Sequence, residues 1–153
     1  MYRRRFLLTS AAAVTTPWTV QAKTFPVTRT EAEWRAVLSP AAYAVLRGNA
    51  TEVAFSHPYH DKTATGLYHC VGCGTPVYAS ADKFPSDSGW PAFDRAIPGQ
   101  VGEGPDPVYG AMLLEVHCAT CGGHLGHVFN DGPESTTGRR HCINGVALTF
   151  RHT

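Results

Sequence analysis

Cysteine is scarce in this chain of 153 residues: there are five, far below the roughly 8–10 % of a miniprotein built on disulfides. Glycine and proline together number 26, short of the roughly 25–30 % of a low-complexity chain. The 43 % of hydrophobic residues is enough to fill a core, so collagen-like, disordered and coiled-coil architectures are excluded. Charge of one sign is also lacking. Residues 1–22 hold three arginines and no acid, which leaves ten basic and twelve acidic residues over the other 131 positions, a net charge of −2. Nucleic-acid binding draws on clustered Lys and Arg and has no support here. No repeat stands out except among the cysteines, and an odd number of cysteines cannot all pair.

Arg3, Arg4 and Arg5 precede Phe6-Leu7-Leu8, an uncharged run continues to Val20, and Val20-Gln21-Ala22 offers small residues before Lys23. Basic, apolar, small is the plan of an export signal. The run contains Thr9, Ser10, Thr15, Thr16 and Pro17, too short and too polar for the roughly 20 apolar residues of a membrane helix. The alternative, a membrane or amphipathic anchor, is the weaker reading. The Arg-Arg-x-Phe-Leu order resembles twin-arginine signals, which implies a bacterial periplasmic protein exported already folded, with no membrane anchor once 1–22 is removed and one domain over 23–153.

Thr30 with Glu33 three positions on, and Trp34, Val37 and Leu38 at helical spacing, predict a short helix; Ser39-Pro40 opens a second that Gly48 can end. Beyond about residue 65 short β-prone runs alternate with turn residues: Gly66–Tyr68, Pro76–Tyr78, Met112–Val116, Val128–Phe129 and Val146–Phe150. The stretch Pro98–Pro107, with three Gly and three Pro, reads as a surface loop. The fold class expected is mainly β, antiparallel, with two short N-terminal helices.

Cys70-Val71-Gly72-Cys73-Gly74 and Cys118-Ala119-Thr120-Cys121-Gly122 are two copies of Cys-x-x-Cys-Gly, each after a histidine. Two such turns supply four thiolates for one tetrahedral zinc, a closed structural site without an open position for water. In an oxidising compartment the same pairs also read as disulfides; duplication, equal spacing and the trailing glycines favour zinc. His69 and His117 are expected to point away from the metal.

The odd thiol lies in Arg139-Arg140-His141-Cys142-Ile143-Asn144. On a strand, Arg140, Cys142 and Asn144 share one face, and a guanidinium beside the sulfur favours the nucleophilic thiolate. A buried structural cysteine is the plainer alternative. In His124-Leu125-Gly126-His127-Val128-Phe129-Asn130-Asp131, period two puts His127, Phe129 and Asp131 on one face: an acid or base, an aromatic wall, and a carboxylate to orient the histidine. Ser88-Gly89-Trp90-Pro91 displays a tryptophan in a turn, unless it is a core aromatic.

Lys83-Phe84, Gly89-Trp90-Pro91-Ala92-Phe93, the run Cys121 to Phe129, Asp131-Gly132-Pro133 and Arg140-His141-Cys142-Ile143-Asn144 together resemble the type B methionine sulfoxide reductases over nearly all of residues 34–150. The resemblance implies two antiparallel sheets with short N-terminal helices. It implies that Cys142 attacks the sulfur of methionine (R)-sulfoxide and becomes a sulfenic acid. His127, His124 and Asn144 would hold and protonate the sulfoxide oxygen, Trp90 and Phe129 would enclose the S-methyl group, and Asp131 and Arg140 would support the thiol. Oxidised protein or peptide is the substrate implied.

Ser88 stands where many members of that family place a resolving cysteine, His141 replaces the usual tyrosine, and Pro85 and Asp87 depart from the usual loop. With the other cysteines committed to zinc, a thioredoxin-like protein or a small thiol is expected to reduce the sulfenic acid. A monomer is expected. A zinc-ribbon-like binding module without catalysis and a thiol peroxidase are the rival readings.

Overall fold

A computed structural model describes residues 24–153; the expected export signal, residues 1–22, lies outside them. Helix α1 (Glu31–Val37) begins at a capping box, in which the Glu33 amide donates to Thr30 Oγ1 (3.3 Å) and the Thr30 amide donates to Glu33 Oε2 (2.7 Å). Helix α2 (Pro40–Gly48) starts with Ser39 accepting the Ala42 amide and Pro40 at its first position. The helix ends at Gly48, as expected. The left-handed turn falls on Asn49 (φ 54°), a residue whose short polar side chain tolerates that region.

Nine strands follow: β1 (Gly66–Cys70), β2 (Pro76–Ala79), β3 (Lys83–Phe84), β4 (Ala92–Phe93), β5 (Val101–Asp106), β6 (Gly110–Cys118), β7 (His124–Phe129), β8 (Arg140–Ile143) and β9 (Leu148–His152). They form a three-stranded sheet in the order β2-β1-β9 and a six-stranded sheet in the order β3-β4-β8-β7-β6-β5. Every pairing is antiparallel. The mainly β class with two antiparallel sheets and two short helices is therefore as expected.

Two local readings are corrected. The supposed loop Pro98–Pro107 contains β5, which pairs with β6 from Val101↔Cys118 to Asp106↔Gly110. Pro105 is tolerated because β5 is the sheet edge and need not donate on both sides. Gly102 is there because a side chain would strike the His117 ring. Gly145–Ala147 form a 3-10 turn, so Val146 and Ala147 are not in the strand, which begins at Leu148.

The core joins both sheets to the helices. Trp34, Leu46, Tyr68, Tyr78, Phe93, Leu125 and Ile143 are buried together, and the Tyr78 ring stacks on Phe93 at 4.4 Å. Full burial of a side chain such as Leu46 or Ile143 contributes about 1.5–3 kcal/mol. Among the described residues no helix is long and apolar enough to cross a membrane.

His141 points into this core and bonds Tyr78 Oη through Nδ1 (3.1 Å). Burial, helped by the Arg139 charge, lowers its pKa to about 4. A histidine that titrates lower when folded than when unfolded opposes folding in acid. Its neutral form is accommodated above the unfolded value near 6.5, and stability falls as pH drops from about 6.5 towards 4. His141→Phe is expected to flatten the pH dependence of the melting temperature across that window; an unchanged slope would place the acid sensitivity elsewhere.

Candidate active site and metal centre

The two Cys-x-x-Cys turns close on one point. Cys70 ends β1 and Cys118 ends β6, and in each turn the trailing glycine takes positive φ (Gly74 76°, Gly122 67°) while its amide bonds back to the first cysteine's carbonyl at 2.8 Å. All four Sγ atoms lie within 4.8 Å of one another, with Cys70–Cys121 at 3.7 Å and Cys73–Cys118 at 3.5 Å. A tetrahedron with zinc–sulfur bonds of about 2.3 Å has edges of about 3.8 Å, so donor type and spacing both fit a structural zinc ion. Because one pair comes from each sheet, the metal ties the two sheets together. Neither neighbouring histidine belongs to the four-ligand cluster: His69 Nδ1 bonds Gly74 O, and His117 faces Glu115.

At β7 and β8, a cavity of about 120 Å³ is lined by Thr51, Trp90, His127, Phe129, Cys142 and Asn144. Strand register builds it. β8 lies between β4 and β7, with Cys142 directly opposite His127 and Arg140 opposite Phe129. Directly opposed side chains sit about 4.5–5.5 Å apart at Cβ, so pairing alone puts the thiol beside the imidazole. Gly126, which precedes His127 and pairs with Ile143, allows this close approach, since a Cβ there would collide with the Cys142 carbonyl. A larger cavity of about 390 Å³ between residues 60–63 and 80–87 is lined by His60, Asp61, Lys83 and Phe84 among others and contains no cysteine.

The thiol is partly buried. Burial raises the Cys142 pKa above the ordinary thiol value, and the Ser88 hydroxyl, 3.7 Å away, and Arg140 offset only part of that. Arg140 favours the thiolate, as expected, but burial outweighs it. Arg140 is occupied by Asp131 through two bonds of 2.9 and 2.8 Å, and it lies 4.6 Å from the Phe129 ring centroid. The Arg140–Asp131 pair thus buttresses the aromatic wall instead of lining the cavity.

Asp131 does not orient His127; this expectation is corrected. The carboxylate on His127 Nε2 is Asp106, at 2.6 Å. Burial alone would raise the Asp106 pKa, but the His127 bond and the amides of Tyr109 and Val108 outweigh it, so its carboxyl titrates below the usual range. Asp106 ends the edge strand β5, whose glycines and proline read as a loop in the sequence, so no motif marks it.

His124 also differs from expectation. It is 1 % exposed, packs edge-on to His127 at 5.1 Å and is absent from the cavity wall. Its Nδ1 bonds Glu115 Oε1 (2.9 Å), while its buried Nε2 has no hydrogen-bond partner among the described residues. Burial acts to raise the Glu115 pKa, but hydrogen bonds from His117 and His124 bring it down to about 2. Asn49 Nδ2 also donates to Glu115 (3.0 Å), which fastens the end of α2 to the histidine pair. Asn144 lines the cavity, yet both ends of its amide are engaged: Nδ2 donates to Leu125 O (3.0 Å) and Oδ1 accepts the Glu52 amide (2.9 Å). Glu52, Thr51 and Glu115 carry no motif that a single sequence would flag.

A β fold with a four-cysteine metal site, whose remaining thiol faces a histidine and two aromatic rings, defines a class, that of thiol-dependent enzymes. Comparison with known proteins names the family. The SelR domain matches residues 38–152. The chain is 46 % identical over 123 residues to peptide methionine sulfoxide reductase B5 of Oryza sativa subsp. japonica, covering 80 % of this chain and 89 % of that one. It is 47 % identical over 125 residues to peptide methionine sulfoxide reductase MsrB of Methylibium petroleiphilum (81 % and 90 %). With the protein of that name from Agrobacterium fabrum it shares 46 % over 125 residues (81 % and 92 %). The chain belongs to the SelR-domain family of type B methionine sulfoxide reductases.

Proposed function

We propose that this chain is a peptide-methionine (R)-S-oxide reductase whose nucleophile is Cys142. The observation that carries the reading is the register of β7 and β8, which sets Cys142 against His127 in a cavity walled by Trp90 and Phe129. The rings receive the S-methyl group and exclude water. His127, held by Asp106 through Nε2, takes the Cys142 thiol proton and passes it to the sulfoxide oxygen as the Cys142 sulfur bonds to the sulfoxide sulfur. The oxygen then passes to the Cys142 sulfur as its bond to the methionine sulfur and the transient S–S bond both break; methionine leaves with two more electrons on its sulfur, and Cys142, oxidised by two electrons, is left as a sulfenic acid. The zinc ion's contribution is to hold the fold. Asp106→Asn keeps an acceptor for the two turn amides but presents an amino group to His127 Nε2, reversing the tautomer; kcat/KM is expected to fall by about 10²-fold or more. A change under threefold would remove the Asp106–His127 pair from the mechanism.

Recycling needs an external thiol. Its sulfur displaces hydroxide from the sulfenic acid, water leaves, and a mixed disulfide forms; a second thiol releases Cys142 as the free thiol. A thioredoxin-like protein or a small thiol fits, because the other four cysteines lie in the metal cluster and Ser88, not cysteine, sits 3.7 Å from Cys142 Sγ. The expectation is that Ser88→Cys forms an internal disulfide with Cys142 after one turnover without reductant, seen as a mass loss of two hydrogens, whereas the natural chain forms none. An internal disulfide in the natural chain would overturn this part.

Residues 1–22 are proposed as a twin-arginine-type export signal to the bacterial periplasm, supported by Arg3-Arg4-x-Phe6-Leu7. The mature domain is proposed as a monomer without a membrane anchor. N-terminal sequencing of exported protein and its sedimentation test these readings.

A further inference from the structure

We infer that Glu52 is a positioning residue that locks the substrate cavity, holding the Trp90 wall and the Asn144 floor in register with Cys142; the inference rests on the reductase reading above. Three bonded groups of Glu52 reach two segments of the site, residues 144–146 and Trp90. Its carboxylate accepts the amides of Gly145 (Oε1, 2.6 Å) and Val146 (Oε2, 2.9 Å), the turn that follows β8. Its own amide donates to Asn144 Oδ1 (2.9 Å), and its carbonyl accepts Trp90 Nε1–H (3.2 Å). The preceding residue, Thr51, lines the cavity itself.

These contacts span about ninety residues of sequence, and they have no strand ladder to support them, since residues 49–53 belong to no helix or strand. The strap is pinned again three residues on, where the Phe55 amide donates to Gly89 O (2.8 Å), next to Trp90, with Phe55 held at φ 62°. A bulky residue in the left-handed region is strained and persists where its surroundings over-determine it. Among the described residues, the Glu52 carboxylate is the one side-chain group of residues 49–53 that bonds to the turn after β8. Without it, the backbone links to Trp90 and Asn144 lose the anchor nearest to them, and the aromatic wall is held less firmly against the thiol.

Glu52 touches neither the thiol nor the space the sulfoxide would fill, so its loss should weaken grip more than chemistry. With the zinc-loaded chain, a methionine (R)-sulfoxide peptide and dithiothreitol, Glu52→Ala is expected to raise KM about tenfold while kcat changes less than threefold, as when binding common to ground and transition states is removed. Glu52→Gln keeps the size and one acceptor and is expected to recover part of the affinity. Thr30→Ala, which removes the α1 capping box, serves as the control for lost stability alone and should leave KM unchanged. Quenching of Trp90 fluorescence by acrylamide, read as the difference from a Trp90→Phe chain, should rise in Glu52→Ala; this readout does not depend on catalysis. An unchanged KM and unchanged quenching in a folded Glu52→Ala or Glu52→Gln chain would overturn the inference. Absence of reductase activity in the unsubstituted chain would instead overturn the reductase reading.

Discussion

Replacing Cys142 by serine is expected to abolish sulfoxide reduction, a loss of at least about 10⁴-fold in kcat, the scale on which enzymes lose activity when the attacking atom is removed. A serine hydroxyl neither attacks a sulfoxide sulfur usefully nor accepts its oxygen, so no partial pathway survives. The fold should be indifferent to the change. Cys142 lies at a cavity wall, only partly buried, and serine is smaller and keeps the hydrogen-bonding partner for Ser88. One zinc per chain and a melting temperature within a few degrees of the parent are expected. Retained activity in Cys142→Ser would remove the proposed nucleophile. The rival in which the chain is a zinc-ribbon-like binding module expects no activity in the parent at all, and a thiol peroxidase would consume peroxide faster than sulfoxide.

Removing the metal is expected to have an equally large effect through the opposite route, collapse of the fold with the reacting residues untouched. Cys118 is fully buried at the end of β6, and its Sγ lies 3.5 Å from that of Cys73, beyond the end of β1 in the other sheet. Structural zinc in finger peptides is bound by about 10–16 kcal/mol, comparable with the roughly 5–15 kcal/mol by which whole domains are stable. Cys118→Ser, or a strong chelator, should therefore release the zinc, lower the melting temperature by tens of degrees or abolish cooperative unfolding, and abolish activity as a consequence. A metal-free chain that melts at the parental temperature would show that the core alone joins the sheets. Stripping zinc while Cys142 remains alkylatable separates this loss from damage to the nucleophile.

Local chemistry was readable from the chain, and distant pairing was not. The start of α1 is written in Thr30 and Glu33, that of α2 in Ser39-Pro40, and the metal centre in the spacing of two repeated turns, because each depends on neighbours in sequence. The face shared by Arg140, Cys142 and Asn144 follows from a period of two. The partner of His127 was misread for a related reason. Asp131 lies four residues away and on the right face, but it is drawn off by Arg140 across the β7–β8 pair. Asp106 arrives from β5, the far edge of the sheet and a strand disguised by Gly102, Gly104 and Pro105. Burial likewise cannot be read from spacing. His124 is as close in sequence to the catalytic segment as His127, yet it turns towards Glu115, and the Cys142 thiol is raised by desolvation that a nearby arginine only partly offsets. Glu52 was invisible because its role is made of backbone amides ninety residues away.

The most direct test is a single turnover without reductant, in which the zinc-loaded chain is mixed with the separate R and S epimers of a methionine sulfoxide peptide and its intact mass is then measured. With the R epimer, one methionine should form per chain, and the peptide bearing Cys142 should gain one oxygen atom that a sulfenic-acid trap captures. With the S epimer, neither should occur. Methionine formed without oxygen on Cys142, or equal turnover of both epimers, would contradict the assignment of Cys142 as the atom that takes oxygen from methionine (R)-sulfoxide.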